Sequence, residues 1–171
     1  MKSLFLLAIL IFLLGFLPKE SRVMPVDGAT VVDWNPKSFW YYPWGRSGVH
    51  KGIDIFAPIG TTVRATTSGI VLYSGNYGLG GKVVYMLGAN WRFHYYAHLN
   101  SIEVSSFTPV SAGQVIGQVG TSGNAAGKSP HLHYTIKSAF PRFWKYRSSH
   151  YSAWRRTFYI DPGKFLRGIP Q

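Results

Sequence analysis

Six histidines and six acidic residues are all that this chain offers for metal binding or proton transfer, so each can be weighed. Two histidines stand one residue apart in "SPHLHYTI", Ser129 to Ile136, an aromatic and β-branched run that reads as a strand. Side chains two apart share a strand face, so His131 and His133 point the same way. Alone, such a pair is weak evidence, because most are surface or satisfied core histidines. A second pair, His94 and His98 in "RFHYYAHL", is expected to share one face with Tyr96. The third group joins His50 to Asp54 in "GVHKGIDIFAPIGT". Their spacing would suit a helix, but Gly48, Gly52, Ile53, Ile55 and Pro58 argue for extended chain. A straight strand rises roughly 13 Å over four residues, too far for both side chains to reach one metal at ~2 Å bond lengths. The chain must bend between them, and Gly52 is where it can.

Neutral imidazoles with a carboxylate form a ligand set suited to zinc. The chain has no cysteine, which removes disulfides and thiolate metal sites and argues against a closed structural zinc centre. Two histidines and one aspartate would leave a fourth position for water, the arrangement of a hydrolytic site. Spacing alone does not say which histidines ligate.

The elements that must position these groups are short strands. "TTVRATTSGIVLYSG", "GGKVVYMLG", "WRFHYYAHL", "SIEVSSF" and "GQVIGQVG" each read as strand flanked by turn residues. Abundant glycine, many aromatics and few charges point the same way. The expected fold is all-β, an antiparallel sheet forming a sandwich or barrel-like domain, with an N-terminal hydrophobic helix. That helix is the leader "MKSLFLLAILIFLLGFLP", apolar from Leu4 to Leu17 and ended by Pro18, within residues 1–22. It reads as a signal peptide or signal anchor and is shorter than the ~20 residues of a comfortable span. No Ala-x-Ala site and no lipobox cysteine follow, so cleavage and retention both stay open.

The net charge of +12 calls for an anionic partner or surroundings: nucleic acid, an anionic membrane surface or anionic envelope polymers. Export counts against nucleic acid. Ala139 to Phe158, "AFPRFWKYRSSHYSAWRRTF", is basic and aromatic without one acid. It is expected either to wall a groove or contact an anionic surface, or to be a solvated, partly helical excursion packed on the sheet.

"HKGIDI", "YYAHL" and "PHLHY", in that order, resemble the three signatures of the lysostaphin/LytM-type zinc endopeptidases, which cut peptides of bacterial peptidoglycan. "APIGTTVRATTSGIVLYSG", "VSAGQVIGQVGTSGNAAGKSPHLHY" and "YIDPGKFL" are similar to that family's connecting blocks, so the resemblance runs roughly from Trp44 to Leu166, broken by the basic insert. It implies a domain over 23–171 of the duplicated hybrid motif type, with the insert at about 139–158. It also implies a zinc cofactor and peptidoglycan as partner; the leader adds export to the periplasm or cell envelope and no nucleic acid, and a monomer is expected. His50, Asp54 and His133 match the family's zinc ligands, and His98 and His131 match its catalytic histidines. His94 has no counterpart and is expected to be structural or to contact a ligand from outside. Thr135 stands where the family often has an acid, which leaves a supporting contact to His133 open. Three other readings compete. A non-enzymatic LytM-like regulator is disfavoured because all five key positions are filled. A biotinyl- or lipoyl-type carrier lacks the modified lysine hairpin. A single-strand nucleic-acid binder would use the basic and aromatic residues, but the export signal and the His/Asp set count against it.

Overall fold

A computed structural model describes residues 2–15 and 20–169; the close of the leader, from Phe16 through Pro18 to Lys19, lies outside the described residues. In chain order the elements are α1 (Lys2–Leu14), β1 (Ile53–Phe56), β2 (Thr62–Arg64), β3 (Gly69–Asn76), β4 (Lys82–Gly88) and β5 (Arg92–Ile102). They continue with β6 (Pro109–Val110), β7 (Val115–Val119), β8 (His131–Ser138), α2 (Ala153–Arg156), β9 (Tyr159–Ile160) and α3 (Pro162–Leu166). The strands form one nine-stranded sheet with the path β1-β8-β5-β4-β3-β6; β7 pairs with β5 and β2, and β9 with β8. Each strand pairing is antiparallel.

The path does not close, so the barrel-like expectation narrows to an open, mostly antiparallel sheet with few helices. The cause lies in β5. Its first part, Arg92 to Ala97, pairs with β8, and from Leu99 onward the strand pairs with β7. Between them His98 takes φ +64°, in the left-handed region that side chains rarely adopt. The long strand is thus redirected and splits one edge into two branches.

Alternation along β8 separates two chemistries. Leu132, Tyr134 and Ile136 join the core, together with Ile53 and Ile55 of β1, Val84 and Met86 of β4, and Tyr96 and Leu99 of β5. His131, His133, Thr135 and Lys137 lie on the opposite face, along a groove. Phe165 and Leu166 of α3 complete the core. Asp161 starts that helix by accepting a hydrogen bond from Lys164 N at 3.2 Å, with Pro162 in the first turn.

"SIEVSSF" is strand only through Ile102. The rest turns over β3, where Ser74 N donates to Ser106 Oγ at 2.9 Å and Phe107 takes φ +64°. The basic insert contains a 3-10 turn, Phe143–Lys145, and α2, then rejoins the sheet as β9. Phe143, Trp144, Tyr146, Tyr151 and Trp154 are exposed. Arg142 is different: its N donates to Thr157 O at 2.9 Å and its guanidinium to Tyr159 O, tying the insert's two ends together. α1 occupies part of the expected leader, with Leu4, Phe5, Leu6 and Leu7 exposed. Among the described residues no helix is long and apolar enough to cross a membrane.

Candidate active site

Asp54 of β1 and His133 of β8 are direct cross-strand partners. His133 Nδ1 lies 2.7 Å from Asp54 Oδ1. His50 precedes β1 and reaches the same oxygen with Nε2 at 3.1 Å; its Nε2 is also 3.1 Å from His133 Nδ1. The expected bend is at Gly52, and the side chain missing there is a steric need. A Cβ would sit 2.2 Å from Tyr134 O, inside the β8 backbone. The chain can therefore press against β8 and turn His50 back over Asp54.

Each ring has a hydrogen-bond partner on its far side, and for His50 that partner assigns the proton. His50 Nδ1 faces Ser38 O at 3.0 Å, so it carries the proton and leaves Nε2 as a bare lone pair. His133 Nε2 lies 3.1 Å from Thr135 Oγ1; ligation through Nδ1 would put the ring proton on Nε2, where the hydroxyl can accept it. Two imidazole lone pairs and a carboxylate oxygen then converge, all within 4.8 Å of one another. They repel unless a cation lies between them, so the residues fit a divalent metal. Without a cation the same two nitrogens can instead carry protons toward Asp54: burial alone would raise its pKa, but hydrogen bonds from His133 and His50 outweigh it and hold the carboxyl well below the usual range. Burial lowers the pKa of His133 against the opposing pull of Asp54, keeping the ring neutral as ligation requires. Trp44 stacks on His50 at 4.2 Å between centroids and covers one side of the site.

His131 and His98 stand beside this group, with ring centroids 5.0 Å apart. Each has Nδ1 against a backbone carbonyl: Ser129 O at 2.8 Å for His131 and Ser122 O at 2.9 Å for His98. That fixes the tautomer and leaves Nε2 of each ring free to accept a proton. His131 Nε2 is 3.9 Å from Asp54 Oδ1. Burial pushes the pKa of His98 down to about 4, so the ring is neutral at pH 7.

The structure brings together all five residues singled out by the sequence, and it separates His94 from His98. The expectation that the two share a face is corrected. His94 is buried in the core, with Nδ1 2.7 Å from Tyr134 Oη, whereas His98 lines the groove. Strict alternation would have kept them together; the positive φ at His98 and the change of partner strand turn its side chain to the other side. Thr135 supplies the supporting contact that its sequence position left open. The carbonyls of Ser38, Ser122 and Ser129 orient three rings and leave no mark in the sequence, because any residue can supply them.

Around the histidines lies a groove of about 1080 Å³. Tyr73, Tyr77, Tyr85, Phe93 and Tyr95 line it on the β3–β5 side. Tyr85 and Phe93 stack at 5.5 Å and nearly parallel. Such a rigid apolar wall suits an extended peptide.

An open antiparallel sheet carrying two imidazoles and a carboxylate that converge on one point, with two further histidines alongside, has the makeup of a metallopeptidase. The chain belongs to peptidase family M23, whose model matches residues 48–142. An L-Ala–D-Glu endopeptidase of Bacillus subtilis is 37% identical over 138 residues, covering 74% of this chain and 42% of that protein. The peptidoglycan DD-endopeptidase ShyA of Vibrio cholerae is 37% identical over 91 residues, covering 53% of this chain and 21% of its own length. The chain thus spans less than half the length of these relatives. The catalytic domain of the antimicrobial peptidase lysostaphin from Staphylococcus simulans superposes with a TM-score of 0.61 at 30% identity, over 81% of this chain and 96% of that domain.

Proposed function

We propose that the chain is a zinc-dependent endopeptidase that hydrolyses peptide bonds in the cross-links or stem peptides of bacterial peptidoglycan. The observation that carries this reading is the convergence of His50 Nε2, Asp54 Oδ1 and His133 Nδ1 inside a groove of peptide dimensions. Membership of family M23 and the substrates named for its relatives support it. His50, Asp54 and His133 are the metal ligands. Zinc is favoured because two imidazoles and one carboxylate, with no thiolate, form its usual open ligand set. When bound, zinc lowers the pKa of its water toward ~7 and polarises the scissile carbonyl.

The remaining work falls to this chain's side chains. His98 and His131, each with Nδ1 held and Nε2 free, take up a proton at that atom and return one to the departing amine. Their Nδ1–H groups, held by Ser122 O and Ser129 O, keep both rings in position as the charge changes. Phe56 packs against His131 at 5.5 Å and limits its rotation. The tyrosines of the groove hold the peptide and exclude water from its apolar parts.

The leader, residues 1–22, directs export to the cell envelope, and residues 23–171 form the catalytic domain with its basic insert. Mass analysis of the exported form shows whether the leader is cleaved; accumulation in the cytosol overturns the assignment.

The purified chain is expected to bind close to one zinc and to release soluble fragments from sacculi. His98→Ala and His131→Ala are expected to keep the metal and lose ~10²–10⁴ of the rate. Metal content is read by atomic emission and turnover by chromatography of released fragments. A variant within a few-fold of wild type removes that residue from the mechanism, and wild-type chain that carries zinc but releases nothing from any sacculus overturns the peptidase reading.

A further inference from the structure

Two strands meet the same edge of β8 in succession. β1 pairs with residues 131–134, and β9 pairs with Ile136 and Lys137. Lys51, just before β1, and Tyr159, which opens β9, both line the surface beside the break between these strands. Lys137 stands beside them on the β8 face that carries His131, His133 and Thr135. The end of the basic insert folds onto the same place. Lys51, Lys137, Trp154, Arg155, Phe158 and Tyr159 line a pocket of about 510 Å³. Lys51, Lys137 and Tyr159 also line the catalytic groove, so the pocket opens beside it.

Three cations face this pocket without an acid. Among the described residues, the ion pairs use Glu20, Asp27 and Asp54, and none involves Lys51, Lys137 or Arg155. Asp161 is engaged as the cap of α3. Lys51 Nζ donates to a backbone carbonyl, Ser47 O, at 3.1 Å. Lys51, Lys137 and Arg155 thus bring three like charges to one surface. Such an arrangement is costly empty and favourable around an anion.

We infer that this pocket is a carboxylate subsite of the peptide groove, in which Lys51, Lys137 and Arg155 take an acidic group of the substrate while Trp154, Phe158 and Tyr159 pack against its aliphatic stem. The inference rests on the peptidase reading and adds a preference for acidic peptides. Strand geometry sets the reach: Lys137 lies roughly 13 Å along β8 from His133, so the carboxylate falls within about four residues of the scissile bond of an extended peptide. The basic insert thereby gains a role in selection, through its last turn.

The test uses two peptides that differ in one group: acetyl-L-Ala-γ-D-Glu-L-Ala amide, with a free carboxylate, and its D-isoglutamine counterpart, with a carboxamide. Binding to the full-length chain is measured by tryptophan fluorescence after metal removal by chelation, so that neither turnover nor carboxylate–metal contact contributes. The wild type is expected to bind the carboxylate peptide about tenfold more tightly, the scale of one charge-assisted hydrogen bond. In the Lys137→Gln/Arg155→Gln variant, both at exposed positions, the ratio is expected to fall to near unity. Raising salt is expected to shrink the wild-type preference in the same direction. Equal affinities in the wild type, or a preference that survives in the variant, overturn the subsite. Turnover by the zinc-loaded chain is scored separately. Preference without turnover sustains the subsite and overturns the peptidase reading; turnover without preference does the reverse.

Discussion

His133→Ala is expected to abolish hydrolysis and to lose most of the bound zinc. The imidazole holds Nδ1 2.7 Å from Asp54 Oδ1 and 3.1 Å from His50 Nε2, so its removal leaves two donors where three converge. Thr135→Val provides the graded comparison. Thr135 is buried with Oγ1 3.1 Å from His133 Nε2, placed to accept its proton when Nδ1 ligates, and valine keeps its shape while deleting that contact. Loss of such an outer contact costs about 10–100-fold in metal affinity, so this variant is expected to bind zinc more weakly yet still turn over at saturating metal. Chelator competition measures the affinities, and sacculus digestion the rates. Full zinc occupancy in His133→Ala would falsify the ligand set, and unchanged affinity in Thr135→Val would show that the hydroxyl does not orient the ring.

The site was more legible in the sequence than the sheet that carries it. His50, Asp54, His98, His131 and His133 sit in ordered motifs, and even the bend at Gly52 follows from strand rise against metal bond length. The error over His94 and His98 has a definite origin. Period-two alternation holds only while the backbone stays extended, and His98 at φ +64° breaks it. Such a bulge depends on β8 and β7 competing for one edge of β5, a tertiary matter that no local pattern records. The open sheet escaped the reading for the same reason. "SIEVSSF" alternates well enough to look like a strand, yet Ser106 is engaged by Ser74 across the turn. The pairing of Thr135 with His133 follows from their spacing on one strand face, but its use as an acceptor depends on which ring nitrogen faces the metal.

His94 is expected to make the chain acid-sensitive through the core and not through the active site. The ring is fully buried between β5 and α3, with Nδ1 on Tyr134 Oη at 2.7 Å and Nε2 near Thr67 Oγ1 at 3.4 Å. Burial, and then the nearby charge of Arg92, pushes its pKa down to about 3 from an ordinary 6.5. A histidine whose folded pKa lies below its unfolded one binds protons more readily when unfolded. Its contribution to stability is therefore complete above pH 6.5, declines as pH falls below that value, and is gone near pH 3. Each pH unit in that window corresponds to ~1.4 kcal/mol, so roughly 3 kcal/mol is lost by about pH 4. Metal-free protein is the right sample, because ligand protonation and zinc release add their own acid dependence to the loaded form. In urea unfolding of that sample, His94→Leu is expected to be less stable at pH 7.5, since Tyr134 Oη loses a buried partner at a cost of ~1–3 kcal/mol. Its stability is expected to fall more gently toward pH 4, so the two profiles converge or cross. Parallel profiles over pH 7.5 to 4 would mean that His94 is protonated as easily in the folded chain as in the unfolded one.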